Sequence, residues 1–330
     1  MDGPQHLCNL FAIARGLDPI GYAGSYDAFV AFELPLPWPR GLFDSRSKLP
    51  PGVREAVARY RLEAPYRLSM LAMAPDEEYS APGWRRVLWC SRPDGAFANY
   101  QRAEYLVPEA RVGELVTALI TGRGAAPEFE PLRVHAAARE LMVCTHGSED
   151  AACGLYGVPI YHGLRARAAA DARVWRVSHF GGHVFAPTLL ELPSGRFWAH
   201  LDDYGAATLL DHRRPSAELR ERYRGWAALD GPFLQALERE LLGREGWRWL
   251  EFHKRGAVLD VEDAREPRWQ RVRIDAQLAH AAVSYEALVE LDHWVDIRPR
   301  SDSAEELPYA QYRVTQLSAS NAALPNVVMP

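Results

Sequence analysis

The sequence of 330 residues has few cysteines, no long apolar segment and no cluster of basic charge. Its four cysteines are too few for a disulfide scaffold, so we expect any specialised cysteine to bind metal or to react. No apolar run approaches the roughly 20 residues that cross a bilayer, and the first residues lack a basic segment followed by an apolar one. We therefore expect a cytoplasmic protein with no membrane partner.

The charge balance excludes a second group of partners. The formal net charge is -5 and the isoelectric point is near 6.1, which gives no basic surface for a phosphate backbone. No G-x-G-x-x-G or G-x-x-x-x-G-K-[ST] pattern follows a predicted strand, so we expect no Rossmann or P-loop nucleotide site. With 48% hydrophobic and 25% charged residues, the chain has the composition of a globular protein. From its charge, we expect no nucleic-acid partner.

Glycine and proline clusters divide the chain into three predicted parts. Residues 1–134 alternate predicted strands with a helix, as an α/β region does. Residues 135–212 have the order strand, helix, strand, hairpin, helix, which is that of a thioredoxin-like half. Residues 213–330 predict an α+β extension with two amphipathic helices, separated at 230–232, and then three alternating strands.

Two pairs of residues in the middle part form a candidate metal site. Cys144 and Cys153 stand eight residues apart in CTHGSEDAAC, and His179 and His183 stand three apart in SHFGGH. Thiolates and neutral imidazoles are ligands that suit zinc, iron and iron–sulfur clusters. The spacing admits a metal without deciding which one.

Gly181 and Gly182 argue for a loop between the histidines. Zinc fingers usually carry H-x3-H on a helix, and each glycine there costs about 1 kcal/mol relative to alanine. We predict a tight loop after the strand VWRVS, whose backbone can approach something bulky and point its amides toward sulfur. The C-x8-C interval is also longer than that of a zinc knuckle, so a cluster fits better than one small ion.

The segments VCTHGSEDAACGLYGVPI and VWRVSHFGGHVFAPTLLELPSG resemble the sucrase/ferredoxin-like family of thioredoxin-like ferredoxins. The resemblance begins near Cys8, DPIGYAGSYDAF and ELPLPWP and covers roughly the first two thirds of the chain. It implies a [2Fe-2S] cluster in which Cys144 and Cys153 hold one iron while His179 and His183 hold the other. It also implies a redox carrier with partner proteins, a reductase and an acceptor, rather than an enzyme with its own substrate.

The chain departs from the family pattern at two positions. Many bacterial members have adjacent cysteines where this chain has Ala152 and Cys153, and a basic residue where it has Val184. The first departure removes an ambiguity about the ligand. The second puts in doubt a charge-assisted contact to the cluster or a redox partner at that point.

Three other functions remain open, the last of them on acidic residues instead of the cysteines and histidines. Zinc could occupy the four ligands of an interaction protein, which could also be metal-free. A thiol oxidoreductase could use Cys144 as nucleophile and Cys153 as resolving cysteine, although the C-x-x-C spacing is missing. The family's name also invites a glycosidase interpretation, but sequence neighbours such as Glu149 with Asp150 usually point apart.

Several nearby residues have ordinary structural explanations. We expect Cys8 and Cys90 to be buried small residues outside the site. For His146, a hydrogen bond behind a ligand and an alternative ligand role are open, but we expect a solvated loop histidine. Asp150 is predicted to cap the helix that begins near Cys153. Trp175 and Trp198 are expected to be core or rim aromatics.

Overall fold

The computed structural model describes residues 7–44, 49–63, 66–135 and 139–321. Its α-helices are α1 Cys8–Ala14, α2 Val53–Glu63, α3 Val112–Thr121, α4 Ala151–Arg165, α5 Asp203–Asp211 and α6 Gly231–Glu245. Its strands are β1 Ala28–Glu33, β2 Leu68–Met73, β3 Trp84–Ser91, β4 Gln101–Pro108, β5 Arg139–Cys144, β6 Ala172–Val177, β7 Leu189–Leu192, β8 Arg196–Trp198, β9 Tyr223–Trp226, β10 His253–Val261, β11 Trp269–Leu278, β12 Ala281–Ile297 and β13 Leu307–Asn321. The fold is mixed α/β, as the sequence predicts.

Nine strands form one mixed sheet in the order β4-β3-β1-β2-β6-β5-β7-β8-β9. The pairs β1/β2 and β5/β6 are parallel, and the helices α2 and α4 make the two crossovers. In the second unit Cys144 lies opposite Val177, so β5 and β6 end at the same edge of the sheet. The loops that follow both strands, and the first turn of α4, therefore meet at that edge.

The predicted order of the middle part is confirmed: β5, α4, β6, the hairpin β7–β8 and α5 follow one another. The hairpin turns at 193–195, where Gly195 adopts φ 73°. Trp175 and Trp198 are buried, as expected for core aromatics. Within the described ranges, no helix combines the length and apolar character needed to cross a membrane.

The C-terminal part forms a separate antiparallel sheet, β10-β11-β12-β13. Alternate residues of β12, among them Tyr285, Ala287 and Val289, are buried and join the main apolar core. Helix α6 packs on this sheet and also on β9 of the large sheet. The C-terminal extension therefore packs against the large sheet through α6 and a shared apolar core.

Two details of the C-terminal prediction are wrong. The segment predicted as the first amphipathic helix is a 3-10 turn, Ser216–Arg222, followed by β9. Strand β9 pairs with β8, and this pairing buries Tyr223 and Trp226 completely at the edge of the large sheet, which outweighs a local helical pattern. Within the described residues the final sheet has four strands instead of three. The fourth strand, β13, was missed because it is largely exposed and lacks a clear apolar alternation.

Candidate metal centre

The edge of the sheet where β5 and β6 end brings the predicted ligands together. Cys144 is the last residue of β5, and Cys153 lies in the first turn of α4. His179 and His183 occupy the loop after β6. The end of β5, the start of α4 and the loop after β6 are separated along the chain. The parallel β5–α4–β6 unit brings all three to the same edge of the sheet.

His179 lies between the two cysteines. Its Nδ1 is 3.9 Å from Sγ of Cys144 and 3.8 Å from Sγ of Cys153. All three atoms are within 4.8 Å of one another. The ring of His183 follows at 5.1 Å from that of His179, measured between centroids. His183 therefore lies next to the group of Cys144, Cys153 and His179, and we call these four residues the metal pocket.

The loop between the histidines has the backbone conformation that its glycines predict. Gly181 and Gly182 have φ values of 96° and 77°, in the left-handed region. A Cβ at Gly182 would lie 2.3 Å from Nη2 of Arg224. The loop ends in a 3-10 turn over His183–Phe185. Glycine at 182 is thus required both by the turn and by the guanidinium packed against it.

The two thiols have different acidities. Burial acts to raise the pKa of Cys144, but hydrogen bonding from Cys153 and the contact with His179 outweigh it and hold that pKa well below its usual value. The same hydrogen bond, together with burial, raises the pKa of Cys153 well above its usual value. These directions favour loss of the first proton from Cys144, while Cys153 keeps its own.

His183 is held as a neutral imidazole. Burial, and then the neighbouring His179, lower the pKa of His183 to about 4. Its Nδ1 lies 3.1 Å from Oδ2 of Asp150, but the contact is not aligned as a hydrogen bond and this buried nitrogen has no hydrogen-bond partner. A neutral imidazole with an unused nitrogen is the form of histidine that binds metal.

A second group of possible ligands shares His183. Sγ of Cys8, a carboxylate oxygen of Asp150 and a nitrogen of His183 also lie within 4.8 Å of one another. Cys8 is buried, as expected, and it lies close to the proposed ligand His183, a proximity that the sequence does not indicate. Its thiol is 3.6 Å from Oδ1 of Asp150, and burial raises its pKa to about 12. Cys8 is therefore a neutral thiol beside the pocket.

Asp150 has the structural role that the sequence predicts. It is the N-cap of α4, and its Oδ1 accepts a hydrogen bond of 2.9 Å from the backbone N–H of Ala152. The same carboxylate accepts hydrogen bonds from the backbone and hydroxyl of Ser301. The carboxylate of Asp150 therefore caps α4, belongs to the second group of possible ligands and binds the C-terminal extension.

The prediction that His146 is a solvated loop histidine is wrong. His146 is 3% exposed, and its Nδ1 accepts a hydrogen bond of 3.2 Å from the backbone N–H of His179. Its Nε2 lies 3.1 Å from the carbonyl oxygen of Pro39. Of the roles considered from the sequence, the hydrogen bond behind a ligand is the one that the geometry supports, because His146 holds the backbone at His179.

The fold and the pocket define a mixed α/β protein whose central parallel unit carries a cysteine–histidine site. The sequence profile of the sucrase/ferredoxin-like family matches residues 19–225, well over half of the chain. The protein belongs to the sucrase/ferredoxin-like family. No curated protein and no solved structure matches the chain significantly.

Proposed function

We propose that the protein is an electron carrier with one [2Fe-2S] cluster held by Cys144, Cys153, His179 and His183. The observation that carries the proposal is the convergence of the two sulfurs on Nδ1 of His179, with His183 alongside, in a chain of a ferredoxin-like family. The donor set fits the group, because it offers two sulfurs and two imidazoles at one buried edge. Redox partner proteins, a reductase and an acceptor, belong to the same proposal.

The bound cluster would supply reversible one-electron transfer. The ligands fix how readily the electron is accepted. Two neutral imidazoles bring two fewer negative charges than two thiolates, which favours the reduced form and raises the potential above that of a four-cysteine site. Cys144 and Cys153 would both bind as thiolates, so metal binding must remove the proton that Cys153 retains in the metal-free pair.

The side chains of His179 and His183 are both partly exposed to solvent. The side chain of His183 is 12% exposed, and His179 is also partly exposed. A ligand imidazole keeps one N–H on its second nitrogen, and water can reach a partly exposed ring. We therefore propose that reduction is coupled to protonation, so that the midpoint potential falls as pH rises through the pKa of that nitrogen.

Metal and sulfide analysis of anaerobically purified protein tests the proposal. We expect about two iron and two sulfide per chain and a visible absorption that dithionite bleaches. Cys153→Ala should lose this absorption. Cys90→Ala is the matched control, because Cys90 is equally buried but lies in the interior on β3. Colourless wild-type protein without iron after reconstitution would contradict the proposal.

A single zinc ion is the second candidate. The atoms of Cys144, Cys153 and His179 are close enough to bind one small ion in common. The metal analysis separates the two candidates, because one equivalent of zinc without sulfide would support a structural site. The thiol oxidoreductase alternative is weaker, since both cysteines are 1% exposed and an external disulfide cannot reach either sulfur.

A further inference from the structure

Arg224 is a buried cation directly behind the histidine loop. It lies on β9 and is 3% exposed. Its Nη1 donates to the carbonyl of Gly181 at 3.2 Å, and its Nη2 donates to the carbonyl of Tyr22 at 2.7 Å. The guanidinium also packs 5.0 Å from the ring centroid of Phe185. Main-chain oxygens and an aromatic face therefore surround it.

Arg224 has no anionic partner among the residues that the structure describes. No carboxylate in those ranges comes within ion-pair distance of it, and its buried Nε has no hydrogen-bond partner. The other deeply buried arginine of the same sheet region, Arg196, is paired with Glu238 at 3.0 Å. Burial lowers the pKa of Arg224 to about 10, so it stays charged at neutral pH.

An unpaired charge in a protein interior is unfavourable unless something opposes it. The guanidinium is held against the loop that carries two of the proposed ligands, because it donates to the carbonyl of Gly181 and packs against Gly182. A group held by His179 and His183 would therefore gain its electron beside this cation.

We propose that Arg224 is the fixed counter-charge of the redox centre and raises its midpoint potential. This inference rests on the proposed function. At a pH where no proton accompanies the electron, reduction forms and breaks no bond and makes the charge of the site more negative by one unit. A fixed positive charge in low-dielectric surroundings favours the more negative state. Arg224 touches no proposed ligand atom in the described contacts, so it acts as a tuning residue.

A charge series at this position tests the inference. In the loaded protein, Arg224→Gln and Arg224→Met should make reduction at least tenfold less favourable, which is about 59 mV for one electron. Arg224→Lys keeps the charge and should stay within a factor of three of wild type. Arg220→Met is the control, because Arg220 is a 48% exposed arginine paired with Glu240 near the same strand. It should leave the potential unchanged.

The outcomes separate the inference from the function it rests on. Iron and sulfide in wild type are measured first, and their absence refutes the proposed function before any variant is made. With the cluster present, an unchanged potential in Arg224→Gln overturns the counter-charge. If the neutral variants do not fold, Arg224→Lys decides: a potential near wild type supports the charge, whereas a tenfold fall shows that the hydrogen bonds to the loop set the potential. Unchanged EPR g values in each loaded variant confirm that the ligands are the same.

Discussion

His183 lies where two groups of side chains meet. On one side are the sulfurs of Cys144 and Cys153 with His179, and on the other are Cys8 and Asp150. His183 is neutral, which is the state that binds metal, and its Nδ1 lies 3.1 Å from Oδ2 of Asp150 in the second group. The raised pKa of Cys8 keeps that thiol protonated and makes it the weaker candidate ligand.

Substitutions at His183 test its proposed role. We expect His183→Ala to lose or weaken the visible absorption. His183→Cys should retain a cluster with a potential lower by about 100 mV or more, because it restores one thiolate charge. Absorption spectra and redox titrations check both results. The exposed His162 supplies the control, since His162→Ala should leave spectrum and potential unchanged. A normal spectrum in His183→Ala would remove His183 from the ligand set.

The sequence shows the four proposed ligands through local spacing and the resemblance, but it does not show what surrounds them. Cys8 approaches from another segment, and no spacing rule connects it to the site. His146 lies between the two cysteines in sequence, but its burial and its hydrogen bond to His179 depend on the fold. The burial of Arg224 could not be predicted either, because an arginine in so short a segment is expected to be an exposed polar residue. Its burial depends on the packing of β9 and the loop at Gly181, which only the folded chain defines.

At the scale of elements, the loop between β12 and β13 reaches the start of α4. Oγ of Ser301 donates to Oδ1 of Asp150 at 2.6 Å and accepts from the backbone N–H of Cys8 at 3.1 Å. Arg300 lies 3.3 Å from a carboxylate oxygen of Glu149. Both Cys8 and this loop lie outside the part of the chain that the family profile matches. Helix α1 and the β12–β13 loop therefore meet beside the site, at the start of α4.

Ser301→Ala tests the contribution of this loop. The variant leaves the backbone N–H of Cys8 without its acceptor and removes one donor to Asp150, so the free energy of unfolding should fall by about 1–3 kcal/mol. Urea unfolding measures the change. Ser303→Ala is the matched control in the same loop, where its hydroxyl contacts only neighbouring backbone, and should stay within about 0.5 kcal/mol of wild type. Equal effects of the two substitutions would contradict the assigned role.

The strongly patterned elements were predictable, and the short ones were not. Strand β5, helix α4 and strand β6 have clear boundaries in sequence, which is why the parallel unit could be placed. Strand β9 has four residues and follows a helix-like charged segment, so its partner β8 rather than its own pattern determines its structure. Tertiary pairing decides the conformation of segments this short.

At the scale of the whole molecule, a buried polar network connects the large sheet to the C-terminal sheet. Glu238 on α6 pairs with Arg196 on β8 and accepts from the indole of Trp249 at 3.0 Å. Lys254 on β10 is buried, and its amine donates to the carbonyl of Trp249 at 2.7 Å. Strand β9 belongs to the predicted third part of the chain but completes the large sheet. The three-part division at residues 134 and 212 stays a prediction.

The pH dependence of stability is also a property of the whole chain. Burial lowers the pKa of His200 from 6.5 to about 4. Below pH 6.5, His200 binds a proton in the unfolded chain but stays neutral in the folded chain. The free energy of unfolding therefore falls as pH drops from about 6.5 to 4. His200→Asn, which tolerates the φ of 46°, should remove about 2–3 kcal/mol of this fall in metal-free protein.

Denaturant unfolding at pH 7 and pH 4.5 measures that difference. The exposed His280 provides the control, and His280→Asn should preserve the wild-type pH dependence. The same slope in His200→Asn as in wild type would show that another group causes the loss of stability in acid.

Pulsed EPR of the dithionite-reduced protein tests directly whether two histidines bind the cluster. We expect a [2Fe-2S] signal with a low average g and couplings to two nitrogens, which change when histidine is labelled with 15N. In His183→Cys one of the two couplings should disappear while the signal remains. A reduced signal without histidine nitrogen couplings, or no paramagnetic centre in iron-loaded protein, would contradict the cysteine–histidine ligand set.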